Sequence, residues 1–144
     1  MLKALSIVGY LGMVAGIIGL FATGNLFSPF PFIIAVQIGA TGLMFWARSA
    51  FGWRSFHVAA NTTEGGLVTR GPYKYIRHPI YTGMTVFGVA GSIAHRSWVG
   101  GLLGLFIAFC ALLRIFCEEV LVKKRYPEYE QYAATTWRMI PYIF

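Results

Sequence analysis

The chain contains no aspartate, and its only acids are five glutamates among 144 residues. Charged residues make up 12% of it, where a soluble domain usually carries about a quarter. From Ala4 to Ala47 there is no lysine, arginine, histidine or glutamate at all. Pro79 to Ala94 and Ser97 to Leu113 are likewise without Lys, Arg or Glu. This scarcity excludes a soluble globular domain. The sequence also lacks the glycine-rich strand-to-helix turn of soluble nucleotide-binding folds, and it has no zinc or haem spacing, so no metal is expected. Its two cysteines, Cys110 and Cys117, lie on one helix at a separation that a disulfide cannot bridge, and read as buried small hydrophobes.

What is abundant is apolar surface, with 57% of residues hydrophobic. The first uncharged stretch is too long for one helix. Asn25, Ser28, Pro29 and Pro31 interrupt it, and proline breaks a helix interior but suits the start of a new one. The pattern predicts an all-α integral membrane protein in a single domain over 1–144. Its four transmembrane helices are expected at about Leu5 to Thr23, Phe30 to Ala47, Ile80 to Ala94 and Trp98 to Val120. A cleaved signal peptide is the rival reading of the first span, but its apolar core is long for one and no clear small-residue cleavage site follows.

The basic residues give an orientation. Arg48, Arg54, Arg70, Lys74 and Arg77 lie between spans two and three, and Arg114, Lys123, Lys124, Arg125 and Arg138 follow or end span four. The other two loops hold only Arg96. The positive-inside rule then puts both termini in the cytoplasm, of a bacterial or archaeal cell on the brevity of the chain. The +7 net charge reads as topology and attraction to anionic lipid, with no nucleic-acid partner expected. Phe51, Trp53 and Phe56 alternate with Arg54 and His57 as an interfacial segment would, and Thr62 to Gly66 reads as a turn. Trp46, Trp53, Trp98 and Trp137 form an aromatic belt. Gly9, Gly12, Gly16 and Gly19, with Gly100 and Gly104, make small-residue stripes for close helix packing, within the chain or between copies of a homo-oligomer.

The chemistry concentrates in two places. RGPYKYIRHPIYTG, from Arg70 to Gly83, sets an arginine-histidine pair among tyrosines at the start of span three, with His78 before Pro79 as a candidate cap. The second cluster is Glu118-Glu119, followed by Arg125 to Arg138. Ionisable groups at the edge of hydrocarbon mark a site by default. If both clusters share a membrane face, the loop before helix 3 and the C-terminal tail together form a polar cofactor pocket. Each group also has a plain reading: Arg77 and His78 as lipid anchors, Arg114 with Glu118 and Glu119 with Lys123 as ion pairs at four-residue spacing, and the tail tyrosines as interfacial.

The order Gly71, Tyr73, Arg77, His78, Pro79, Tyr81, Gly83, then Glu118-Glu119, Tyr129 with Tyr132, and Arg138 with Ile140-Pro141 resembles the isoprenylcysteine carboxyl methyltransferase family. It equally resembles the wider group of bacterial membrane methyltransferases and phospholipid N-methyltransferases. The likeness runs from Leu67 to Pro141, which would make 67–141 the cofactor-binding region behind two N-terminal spans in 1–47. It departs from the pattern at Tyr126-Pro127, where an aromatic-glycine pair is usual and one residue further away.

The resemblance implies S-adenosylmethionine as cofactor and a lipophilic small molecule or membrane lipid as acceptor. Arg77 and His78 would meet the cofactor's carboxylate. Glu118 and Glu119 would meet its ammonium, and Tyr73, Tyr81, Tyr126 and Tyr129 would face its adenine. His78 or Glu119 would take a proton from an amine or thiol acceptor, whereas a carboxylate acceptor needs no base. Arg138 is the candidate for orienting the acceptor. Membrane sterol and steroid reductases, which use a nicotinamide cofactor, look similar in their last helices, so an NAD(P)H-dependent reductase is one alternative. A non-catalytic scaffold is another.

Overall fold

The computed structural model describes residues 1–51 and 66–144. The expected interfacial segment at Phe51 to His57 and the turn at Thr62 to Gly66 lie, apart from Phe51 and Gly66, outside the described residues. The helices are α1 Leu2–Ala22, α2 Pro31–Phe51, α3 Pro79–Ala94, α4 Trp98–Arg125 and a short α5 Tyr129–Ala134, with a 3-10 turn at Gly71–Lys74. No strand occurs among the described residues, and the protein is an all-α membrane protein.

The four expected spans correspond to α1 to α4, with different ends. Pro31 opens α2, as its fixed φ favours. The fourth helix runs past Val120 to Arg125, because Lys123, Lys124 and Arg125 suit the negative end of a helix dipole and nothing breaks it before Tyr126-Pro127. Three helices, α1, α2 and α4, are long and apolar enough to cross a membrane. At 16 residues α3 is shorter, about 24 Å against roughly 30 Å of hydrocarbon. Pro79 fixes one of its ends, and at the other the chain turns at His95 and Arg96, with the His95 ring 2.8 Å from the Phe27 carbonyl.

Helix α4 packs between α1 and α3, and α3 between α4 and α2. The glycine stripes are used inside the chain. Gly9 faces the Cys110 carbonyl and Arg114, Gly12 faces Cys110, Gly16 faces Ile107 and Gly19 faces Leu103. Gly104 lies against Ser92, and Gly100 against Asn25 and Ser92. The core between these helices is Met13, Leu20, Leu26, Ile107, Cys110 and Ala111. At the far end Gln37, buried in α2, donates to the carbonyls of Leu26 at 2.7 Å and Phe87 at 3.2 Å, tying the first hairpin to α3.

Helices α1 and α3 both run antiparallel to α4, so Ser6, His78 and the Arg114–Glu119 turn share one end of the bundle. The C-terminal tail returns to that end.

Candidate active site

The tail and the segment before α3 are laced together by backbone hydrogen bonds. Trp137 donates to the Tyr75 carbonyl at 3.0 Å, Arg77 to Trp137 at 2.7 Å and His78 to Arg138 at 3.0 Å. This short parallel pairing centres on Ile76 and Trp137. Thr82 on α3 donates to the Met139 carbonyl at 3.2 Å, and the Tyr132 hydroxyl to the Tyr73 carbonyl at 2.7 Å. The two polar clusters of the sequence therefore meet.

Glu119 is at the centre. Its Oε1 accepts from Arg77 Nε at 3.0 Å and its Oε2 from Arg138 Nε at 3.0 Å. The plain alternative, an ion pair with Lys123, gives way to these two. Arg77 also donates to the Ala133 carbonyl at 3.0 Å and to the Thr136 carbonyl, both at the end of α5. Cations suit that end of a helix, and Arg77 thereby holds α5 against α3. Arg138 is the more open arginine, its side chain 35% exposed against 7% for Arg77. Its guanidinium lies against the rings of Phe116 and Phe144, 5.5 and 5.1 Å from their centroids.

Glu118 belongs to a second, separate cluster. Its Oε1 accepts from the Tyr81 hydroxyl at 2.8 Å and from Arg114 Nη2 at 2.9 Å. Arg114 Nε also donates to the Tyr81 hydroxyl at 2.9 Å, closing a three-membered ring of side chains. Among the described residues, the nearest ion-pair partner of the other oxygen, Oε2, is His78 Nδ1 at 3.8 Å.

His78 stands between the clusters. It occupies the cap position of α3 but makes no capping bond with its side chain. The ring is turned instead toward the glutamates and stacks on Tyr81, 5.8 Å between centroids and 18° from parallel. Its Nε2 is buried and without a hydrogen-bond partner, Glu119 Oε1 being 3.5 Å away. Adjacent glutamates on a helix point about 100° apart. The histidine between them is what makes one site of both.

The remaining tyrosines line the tail side. Tyr73 is buried against Phe51, their centroids 5.5 Å apart, and Tyr129 is buried against Tyr132 at 5.9 Å. Burial pushes the Tyr132 hydroxyl up to about 12, and burial, ahead of the neighbouring charges, raises Tyr73 and Tyr129 as well. All three stay neutral hydrogen-bond donors at ordinary pH. Tyr126 lies in the link between α4 and α5, where its carbonyl accepts from Tyr129 at 3.0 Å.

Six of the residues named from sequence, Arg77, His78, Tyr81, Glu118, Glu119 and Arg138, thus form one connected cluster. Two others in contact with it, Arg114 and Thr136, were not named as site residues. Arg114 carried a signal, since an arginine inside an apolar run is rarely idle. Thr136 carried none. No group of three or more His, Cys or Glu side chains able to hold a metal occurs among the described residues.

The result is an apolar helical bundle with a buried charged cluster at one end, closed over by its own tail. The chain belongs to the phospholipid methyltransferase family, whose model matches residues 30–129, more than half of its length. That makes it a member of a family of membrane methyltransferases. The match takes in α2, α3, α4 and the glutamate pair, and leaves α1 and most of the tail outside. No curated protein matches the chain.

Proposed function

We propose that this protein transfers a methyl group from S-adenosylmethionine to a lipophilic acceptor, an amine, thiol or carboxylate, at the cytoplasmic face of the membrane. The observation that carries the reading is the unequal state of the two glutamates. Both oxygens of Glu119 are held by arginines, whereas Glu118 has one oxygen held and the other turned toward His78. The His78 ring lies between the two, its Nδ1 3.8 Å from Glu118 Oε2 and its buried Nε2, which has no hydrogen-bond partner, 3.5 Å from Glu119 Oε1. Such a place suits a ligand that presents a cation and a polar edge together.

On this reading Glu118 meets the cofactor's ammonium, and the stacked His78 and Tyr81 rings offer a face to its adenine. The Tyr73, Tyr126 and Tyr129 side complements that face. When bound, S-adenosylmethionine supplies an electrophilic methyl group. The protein's part is to hold the acceptor in line with it and to exclude water. His78 is the base for an amine or thiol acceptor. Glu119 is a poorer one, because its charge is already balanced by Arg77 and Arg138. Those two arginines have different tasks: Arg77 holds the tail, and Arg138, open and flanked by phenyl rings, orients the acceptor's head. The basic ends of α2 and α4, Arg48 and Lys123 to Arg125, favour the cytoplasmic side.

The methyltransferase match favours this reading over a nicotinamide-dependent reductase or a scaffold. Calorimetry on the detergent-solubilised protein tests it. S-adenosylmethionine should bind and NADPH should not; the reverse, or no binding of either, would overturn it.

A further inference from the structure

We propose that Arg114 is a positioning residue of the cofactor site, and that α1, outside the matched region, supplies the cradle that holds it. The inference rests on the function proposed above. Arg114 is one of the largest fully buried side chains in the molecule, set where α1, α3 and α4 meet. A buried guanidinium is tolerated only when its donors are satisfied. Here Nε bonds the Tyr81 hydroxyl at 2.9 Å, Nη2 bonds Glu118 at 2.9 Å, and Nη1 bonds the Ser6 carbonyl of α1 at 3.0 Å. The Tyr10 ring, also on α1, packs on the guanidinium at 5.3 Å, and the Tyr81 ring lies at 5.7 Å from it.

The consequence falls on Glu118. With Arg114 and Tyr81 both on Oε1, the carboxylate is anchored through that oxygen, and Oε2 is presented toward His78. Without that hold the side chain is free to rotate, and the cation of the ligand loses a fixed partner. Gly9 is part of the same device. A side chain there would meet the Cys110 carbonyl at 2.9 Å and Arg114 Cβ at 3.2 Å, so only glycine lets α1 come near enough for Ser6 and Tyr10 to reach the arginine. Arg114 does not touch the ligand. It acts through Glu118.

The test is S-adenosylmethionine affinity per folded molecule, measured by calorimetry on detergent-solubilised protein alongside the melting temperature. Arg114→Lys keeps the charge but replaces a planar fork with a compact ammonium that cannot reach acceptors spread around the guanidinium, and should weaken binding about tenfold. Tyr10→Leu leaves the arginine and removes only the ring beneath it, and should weaken binding about threefold. Tyr10→Phe keeps the ring and should bind as the wild type does. Where Arg114→Lys does not fold, the Tyr10 pair carries the test. Variants that melt lower but bind normally would make Arg114 merely structural and overturn the proposal, as would Tyr10→Phe binding as poorly as Tyr10→Leu. Failure of the wild type itself to bind would overturn the proposed function, and this inference with it. Normal wild-type binding with unaffected variants overturns the inference alone.

Discussion

Arg77 donates to Glu119 at 3.0 Å across 42 residues of sequence, and this bond helps fasten the start of α3 to α4. The same arginine holds the carbonyls at the end of α5, adding a side-chain tie to the backbone bonds that join the tail to the segment before α3. The two glutamates should therefore respond differently to the same substitution. Glu119→Gln leaves Arg77 and Arg138 facing a neutral amide in a buried place, a loss of roughly 3 kcal/mol of stability. It should lower the melting temperature and expose the tail to protease. Glu118→Gln leaves the buried Arg114 facing a neutral amide and should lower the melting temperature too. It should keep the tail protected, however, and weaken S-adenosylmethionine binding per folded molecule about tenfold, as expected for a charge-assisted bond. Equal effects of the two on binding per folded molecule and on protease exposure of the tail would refute the division of labour.

The orientation makes a separate prediction. Lys74, in the turn before α3, and Lys123, in the last turn of α4, flank the same end of the bundle. Lys74→Cys and Lys123→Cys should both resist an impermeant thiol reagent added to intact cells and react once the membrane is opened. The native Cys110 and Cys117 are buried and give little background. Labelling of both from outside would invert the orientation, and labelling of only one would break the shared face.

Glycine substitutions should separate packing inside the chain from packing between copies. At Gly91 a Cβ would run into the Leu26 carbonyl, which is backbone and has nowhere to move. Gly91→Ala should cost roughly 1–3 kcal/mol, the usual range for overpacking. Gly39, Gly42 and Gly101 have nothing within 4 Å, and alanine at each should be neutral or slightly stabilising in a melting assay. Marked destabilisation at Gly39 or Gly42 would reveal a neighbour in solution, and so an oligomer built on α2.

How much of this was legible in the sequence differs by element. The spans could be read because hydrocarbon admits only long apolar helices, and Pro31 and Pro79 mark where two of them begin. The extension of α4 to Arg125 is not legible in hydropathy, because charge ends an apolar span whereas a helix outlasts the membrane wherever its backbone bonds continue. Arg77, His78, Glu118, Glu119 and Arg138 were legible as a set through their order in the chain. Their pairing was not. Spacing alone gave Glu119 to Lys123, one turn away, and only the fold shows that two arginines from distant segments reach it instead. The cradle on α1 was still less visible, since it uses a backbone carbonyl of Ser6 and a ring face of Tyr10, neither of which leaves a charge pattern.

The last prediction concerns how the acceptor arrives. Arg138 is the arginine of the cluster that stays open, and the rings beside it, Phe116 and Phe144, belong to an apolar border. Phe116 is 49% and Val120 40% exposed on α4, facing outward where lipid would lie. An acceptor head can reach Arg138 along this border while its chain stays in the bilayer. Entry from water would require lifting that chain out, at about 0.8 kcal/mol per CH₂. For a long-chain acceptor that penalty exceeds anything one arginine returns. The rate should therefore follow the acceptor's mole fraction in the membrane and not its bulk concentration. In vesicles with enzyme and acceptor held at fixed bulk amounts, added inert lipid should slow the reaction in proportion to the surface dilution. Phe116→Ser, which makes the border polar, should raise the KM for a long-chain acceptor and leave S-adenosylmethionine affinity unchanged. A rate indifferent to surface dilution, or a preference for soluble short-chain acceptors, would count against lateral entry and would move the acceptor's door to the water side of the tail.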